Sequence, residues 1–250
     1  MKTGEITARS ILTKTGIPGV DYCLNPYVGC GHGCVYCYAT FMKKYSGHTE
    51  PWGEFVDAKI NAPELLKREL RRPREGEVIV SSVTDCYQPV EARFRLTRAC
   101  LEILAMTDLS VSILTKSGLV TRDIDIFGKM RAVDVGLTIT TDREAIREIF
   151  EPHASSIESR LAALKALKEQ GIPTHVFVGP ILPMDAETLA RAIAPYAGRV
   201  LIDRMNYPWK AREVYSRHNL GWALEPAYFE EVEEILRRHF SAAGIEAQTV

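Results

Sequence analysis

The chain has 250 residues, with 31 Lys plus Arg against 32 Asp plus Glu for a net charge of −1, and 46% hydrophobic residues. Charged residues make up 25%, and Gly (17) and Pro (13) stand at ordinary usage, which excludes a low-complexity or disordered chain and leaves enough apolar sequence for a full core. The near-zero charge excludes a molecule-wide basic field, so nucleic acid is a less favoured partner that requires a local patch.

The N-terminal stretch MKTGEITARSILTK is charged and mixed, without the apolar centre of a secretory signal, so the six cysteines read as reduced thiols of a cytoplasmic protein. Residues 22–42 carry no formal charge, yet their glycines, cysteines, Asn25 and His32 leave no sustained apolar run, and a membrane helix is excluded there. Beyond this segment, strands alternate with helices. Strands are predicted weakly at 21–27, then at 77–83, 111–116, 133–140, 174–182 and 200–205, several as continuous apolar runs suited to strands covered on both faces. Helices are predicted at 62–72, 96–105, 157–170, 186–196 and 225–240. In the 157–170 helix, Ser155 and Glu158 form a capping box, Ile157, Leu161 and Leu164 a stripe, and Gly171 the stop. No repeat or linker divides the chain, so residues 1–250 read as one domain. Its class is α/β: parallel strands joined by right-handed crossovers into a partial (β/α)6 TIM-type barrel, with ligands expected at the strands' C-terminal ends.

The cluster loop, about 28–42, carries the strongest signal. Cys30-Gly-His-Gly-Cys34-Val-Tyr-Cys37 sets three thiols at C-x3-C-x2-C spacing on a glycine-bearing loop able to wrap a metal centre. A structural zinc needs a fourth ligand, for which Cys23, His32 and His48 are available. Three thiolates alternatively suit a 4Fe-4S cluster with one iron left open. A non-enzymatic zinc or iron-sulfur binding protein is therefore one reading of the spacing.

C-x3-C-x2-C with Tyr36 ahead of the last cysteine resembles the signature of the radical S-adenosylmethionine (SAM) superfamily. The phrases LNPYVGCGHGCVYCYA, SSVTDCYQPVEARFRLTR and GPILP are similar to its spore photoproduct lyase-like group, over about residues 24–183. The resemblance implies that Cys30, Cys34 and Cys37 bind a 4Fe-4S cluster whose open iron takes SAM. It also implies reductive cleavage of SAM to a 5′-deoxyadenosyl radical, hydrogen abstraction from a substrate, and an electron donor such as a ferredoxin or flavodoxin.

Further site residues come from the same resemblance. Lys116 matches a lysine on the cofactor carboxylate, a role that a buried anion's need for a cationic partner supports. Thr138 matches a small hydroxyl residue near the ribose, and Thr84 and Asp85 lie where the loop after the second strand meets the cofactor. Arg160 stands either at the cofactor carboxylate or in a salt bridge with Glu158 or Glu151. The lyase's hydrogen-returning cysteine falls at Val83, three positions before Cys86. Either Cys86 takes the hydrogen-donor role from a shifted register, or the protein does different radical chemistry and Cys86 is a thiol beside the site; a DNA photoproduct-type repair lyase is the alternative activity. The aromatic and basic residues Tyr207, Trp209, Lys210, Arg212, Arg217 and Trp222 form the one local arrangement suited to nucleic acid, and equally a lid or helix packing.

Overall fold

A computed structural model describes residues 1–250. Its strands are β1 (Lys2–Ile6), β2 (Leu12–Lys14), β3 (Tyr22–Leu24), β4 (Tyr27–Val28), β5 (Phe55–Lys59), β6 (Glu77–Val80), β7 (Ser110–Thr115), β8 (Val133–Thr138), β9 (Thr174–Val178), β10 (Arg199–Ile202) and β11 (Glu246–Thr249). The helices are α1 (Ala62–Glu69), α2 (Glu91–Phe94), α3 (Leu96–Leu104), α4 (Ile124–Phe127), α5 (Glu144–Phe150), α6 (Ile157–Glu169), α7 (Ala186–Ile193), α8 (Pro208–Arg217) and α9 (Pro226–Ala242). No helix is long and apolar enough to cross a membrane.

The large sheet runs β11-β10-β9-β8-β7-β6-β3-β2. From β3 to β11 every pairing is parallel, and spatial order follows chain order. A singly wound sheet of this kind curls toward a barrel. The antiparallel edge strand β2 and the edge strand β11 do not pair, so the barrel stays open. The six predicted strands all form in the predicted order. β11, whose sequence Glu-Ala-Gln-Thr is polar, gave no apolar signal and adds a seventh parallel strand. A separate small sheet, β1-β5-β4, packs the N-terminus against the segment that follows the cysteines.

Side-chain alternation explains both the core and the site. Along β7, Val111, Ile113 and Thr115 are buried. On the other strands, Val78 and Val80, Val135 and Leu137, Val176 and Val178, and Val200 and Ile202 are buried likewise. At the period of two, the intervening residues point to the barrel interior. These are Ile79 and Ser81, Leu114 and Lys116, Thr138, Phe177 and Gly179, and Asp203, and all of them line one cavity.

Several boundaries differ from the sequence expectation. β6 stops at Val80 because Ser81 turns into the left-handed region (φ 71°). β9 stops at Val178 ahead of Gly179-Pro180, and β10 stops at Ile202. The α6 N-cap is Ser156, whose hydroxyl accepts from the Ser159 amide at 3.1 Å. Ser155 instead accepts from the Gly118 amide at 3.1 Å, so the predicted Ser155–Glu158 capping box does not form.

Candidate active site

The cavity opens at the C-terminal ends of the strands and has a volume of about 450 Å³. Cys30, Cys34 and Cys37 line it, together with Thr84, Asp85, Lys116 and Thr138. Residues separated by up to 108 positions in the chain are thus gathered by strand ends and one loop (138 − 30 = 108).

The cysteine loop leaves β4 and enters a 3-10 helix at Tyr38–Tyr45. It folds this closely because of its glycines. Gly29 has φ 82° and a Cβ there would lie 2.4 Å from the Phe55 carbonyl, while a Cβ on Gly53 would lie 2.7 Å from the Gly33 Cα. The buried Gln88 fixes the loop from the barrel side: its Oε1 accepts from the Gly31 amide at 2.7 Å, and its Nε2 donates to the Thr84 hydroxyl at 2.9 Å and the Gly29 carbonyl at 3.3 Å. Thr84 in turn donates to the Gly29 carbonyl at 2.5 Å. Its hydroxyl is therefore committed to the loop.

Asp85 performs a similar task with its charge. Its carboxylate accepts from the Tyr87 amide (2.8 Å), the Thr115 hydroxyl (2.6 Å) and the Lys116 amide (2.8 Å), and pairs with His32 Nε2 at 3.2 Å. Burial opposes ionisation, but His32 and these donors outweigh it and hold the carboxyl well below the usual carboxylate range. The carboxylate thus ties the cysteine loop to the ends of β6 and β7.

Lys116 faces the cavity with its ammonium 5.7 Å from the Tyr36 ring centre and forms no ion pair with a carboxylate. Burial works against its charge, yet Cys34 and Glu151 keep the ammonium favoured. A cation aimed into a cavity without a counter-ion is a site for an anion. Thr138 is buried, lines the cavity, and has a hydroxyl with no hydrogen bond inside the protein, while its carbonyl accepts from Arg160 at 3.0 Å.

Arg160 and Cys86 lie elsewhere. The Arg160 guanidinium is fully buried, pairs with Glu151 at 2.5 Å, and donates to the carbonyls of Ser155 (2.9 Å) and Thr138 (3.0 Å). Of the alternatives open in the sequence, the geometry selects the salt bridge with Glu151, inside the protein rather than on a helix surface. Glu151 also accepts from the Tyr36 hydroxyl and, at 3.1 Å, from Thr140. Arg160 thus holds the aromatic ring of the cysteine motif through Glu151 and does not line the cavity. Cys86 is fully buried among apolar side chains and does not line it either. It follows Asp85 directly, and because Asp85 turns toward the loop, the next side chain turns into the core.

Sequence reasoning missed three residues. Ser81 combines left-handed backbone with a buried hydroxyl that has no partner, on the cavity wall. Gln88 holds the loop. Asp203 lines the cavity at the end of β10, where the sequence expectation ran the strand on to 205 and so placed this residue inside it. The period of two along VLIDRM carried the signal, because Leu201 and Asp203 share the interior face. The aromatic and basic C-terminal segment is divided: Tyr207 stacks edge-on with Trp209 at 5.3 Å, whereas Trp222 pairs with Tyr228 at 5.0 Å.

The donor set fits an iron-sulfur cluster. Three thiols, those of Cys30, Cys34 and Cys37, line the same cavity, as a cluster held by three cysteines requires. Burial pushes the Cys30 thiol up to about 12 and raises Cys34 and Cys37 as well. Loading the site must therefore displace thiol protons, and uptake rises with pH.

Comparison with known proteins identifies the family and the fold. A family model described as the radical SAM superfamily matches residues 24–193. An uncharacterized protein of Methanocaldococcus jannaschii is 38% identical over 204 residues, which span 81% of this chain and 77% of the relative. An uncharacterized Mycobacterium tuberculosis protein is 31% identical across 72% of this chain and 56% of its own length. Among solved structures, spore photoproduct lyase complexed with dinucleoside spore photoproduct superposes with a TM-score of 0.70 at 16% identity, covering 99% of this chain and 81% of that one. At that identity the likeness shows the fold.

Proposed function

The chain belongs to the radical SAM superfamily, and we propose that it is an enzyme in which Cys30, Cys34 and Cys37 hold a 4Fe-4S cluster beside a SAM site spread over the ends of β6, β7 and β8. When bound, the cluster and SAM supply one-electron cleavage of the sulfonium and a 5′-deoxyadenosyl radical that takes hydrogen from a substrate carbon. The observation that carries this reading is that three thiols and an unpaired ammonium, Lys116, line one cavity.

The chain's own residues prepare this chemistry. Lys116 receives the cofactor carboxylate, and Thr138 offers its free hydroxyl to the polar body of the same molecule. Asp85, Thr84 and Gln88 keep the cysteine loop at a fixed distance from the strand ends. Apolar walls from Leu114, Phe177 and Pro180 limit water around a reactive intermediate. Beyond the three cluster cysteines no thiol lines the cavity, and Val83 stands where the lyase's hydrogen-returning cysteine falls. The reading favoured is therefore hydrogen abstraction without thiol-dependent return, and not photoproduct repair.

The test is anaerobic: reconstituted protein, SAM and dithionite, the last standing in for a ferredoxin or flavodoxin, with 5′-deoxyadenosine and methionine measured. Wild type forms both, Cys34→Ala forms neither, and Lys116→Met weakens SAM binding by about tenfold or more. Product formation by Cys34→Ala at the wild-type rate contradicts the proposal.

A further inference from the structure

Two carboxylates line the cavity, and they differ in kind. Asp85 is saturated by its donors, as described. Asp203, at the end of β10, is half-buried and forms no ion pair; both its oxygens accept from a single group, Asn206 Nδ2, at 2.9 and 3.0 Å. Along the sheet it lies three strand spacings from Lys116, about 14 Å. One end of the cavity thus presents an unpaired cation and the other an unpaired anion. Around Asp203 the walls are apolar: Phe177 and Pro180 from the β9 end, and Met205.

We propose that Asp203, oriented by Asn206, is a specificity-determining residue that binds a protonated or N–H-bearing nitrogen of the molecule occupying the β10 end of the cavity. The proposal rests on the reading above only in assigning the cysteine end to the cofactor. A carboxylate with lone pairs left over, among apolar walls, is costly unless a ligand supplies donors. Two sources offer such a nitrogen, an amine or amidine of the substrate and the amino groups of SAM itself.

The charged surroundings are simple. Arg204 turns away to Glu233 on α9, at 3.0 Å. β9 contributes no charged group beside Asp203. Lys210 of α8 is held by the Thr40 hydroxyl at 2.5 Å, and the other titratable groups facing the cavity are Lys116, Asp85, His32, Tyr36, Tyr38, Tyr207 and the three cysteines. Burial pushes the Asp203 carboxyl up to about 6, with Asn206 pulling the other way. A cationic ligand held by it therefore binds well above that pH and loses affinity as the pH falls through it.

The experiment titrates cluster-loaded protein with benzamidine and with benzoate by calorimetry at pH 7.5 and 5.0, with and without SAM, in wild type, Asp203→Asn and Asn206→Ala. Parallel SAM titrations and thermal melts of each variant accompany these. Benzamidine is expected to bind with an affinity that falls about tenfold between the two pH values, while any benzoate binding, which Lys116 accounts for when SAM is absent, is independent of Asp203. Asp203→Asn, which keeps the side-chain shape, removes that pH dependence. Asn206→Ala moves its midpoint upward, a shift that a structural role alone does not produce. If SAM supplies the nitrogen, benzamidine competes with SAM and Asp203→Asn weakens SAM; if the substrate does, benzamidine binds alongside SAM and SAM affinity is unchanged. Benzamidine and benzoate responding alike to Asp203→Asn, or Asp203→Asn leaving both benzamidine and SAM affinity intact while folding normally, overturns the proposal. Failure to form 5′-deoxyadenosine bears on the cluster reading and leaves these titrations interpretable.

Discussion

Asp85 and Ser81 show what a single residue contributes beyond its place in a motif. Asp85 resembles a cofactor ligand, yet every strong contact it makes is to the protein, and its carboxylate holds His32, Thr115 and the Lys116 backbone in one arrangement. Its pKa is depressed on folding, so its stabilisation is complete above the unfolded carboxyl value of about 4 and is lost as pH falls toward the folded one. Thermal melts from pH 3 to 8 should show Asp85→Asn less stable than wild type at neutral pH, with the gap closing below about pH 4; a gap constant across the acid range contradicts the role. Ser81 holds a backbone conformation that costs an L residue about 1–2 kcal/mol. Because its hydroxyl has no partner, Ser81→Gly should be about 1 kcal/mol more stable than Ser81→Ala in urea unfolding, and equal stability of the two contradicts the left-handed geometry.

Among the elements, the cysteine loop lacks regular structure yet is anchored by side chains from distant parts of the chain. Its anchoring comes from Gln88, Thr84, Asp85 and His153, whose carbonyl lies 3.3 Å from His32 Nδ1. Gln88→Ala leaves the Gly31 amide without its acceptor, at a cost of about 1–3 kcal/mol. The variant is expected to melt earlier and to release iron faster to a chelator than wild type; wild-type melting and iron retention would remove the anchor from the account. Much of this level was legible in advance. The six apolar strands, their order and the main helices follow from periodicity, and the cysteine spacing identified the loop. Most long-range polar pairings were not legible, because nothing local marks Gln88 as the partner of Gly31 or Glu151 as the partner of Tyr36; the Arg160–Glu151 salt bridge was one of the alternatives the sequence offered. The polar strands β1 and β11 were missed for a related reason: they are held by neighbouring backbone rather than by an apolar face.

For the molecule as a whole, the open barrel converts a period-two pattern into a site. Each parallel strand alternates helix-facing apolar residues with interior ones, and the last interior residue of each strand reaches the cavity. The family resemblance led to Lys116 and Thr138, which this alternation places in the cavity, and Asp203 was missed through a misplaced strand end. Arg160 and Cys86 failed to reach the cavity because flanking residues, Glu151 and Asp85, fix which way their elements face. The central claim is that the three cysteines act together as cluster ligands. Iron and acid-labile sulfide analysis of anaerobically reconstituted wild type and Cys34→Ala tests it most directly. The account predicts about four iron and four sulfide per wild-type chain and a large loss of both in the variant. One zinc per chain without sulfide, or full iron and sulfide retained by Cys34→Ala, contradicts it.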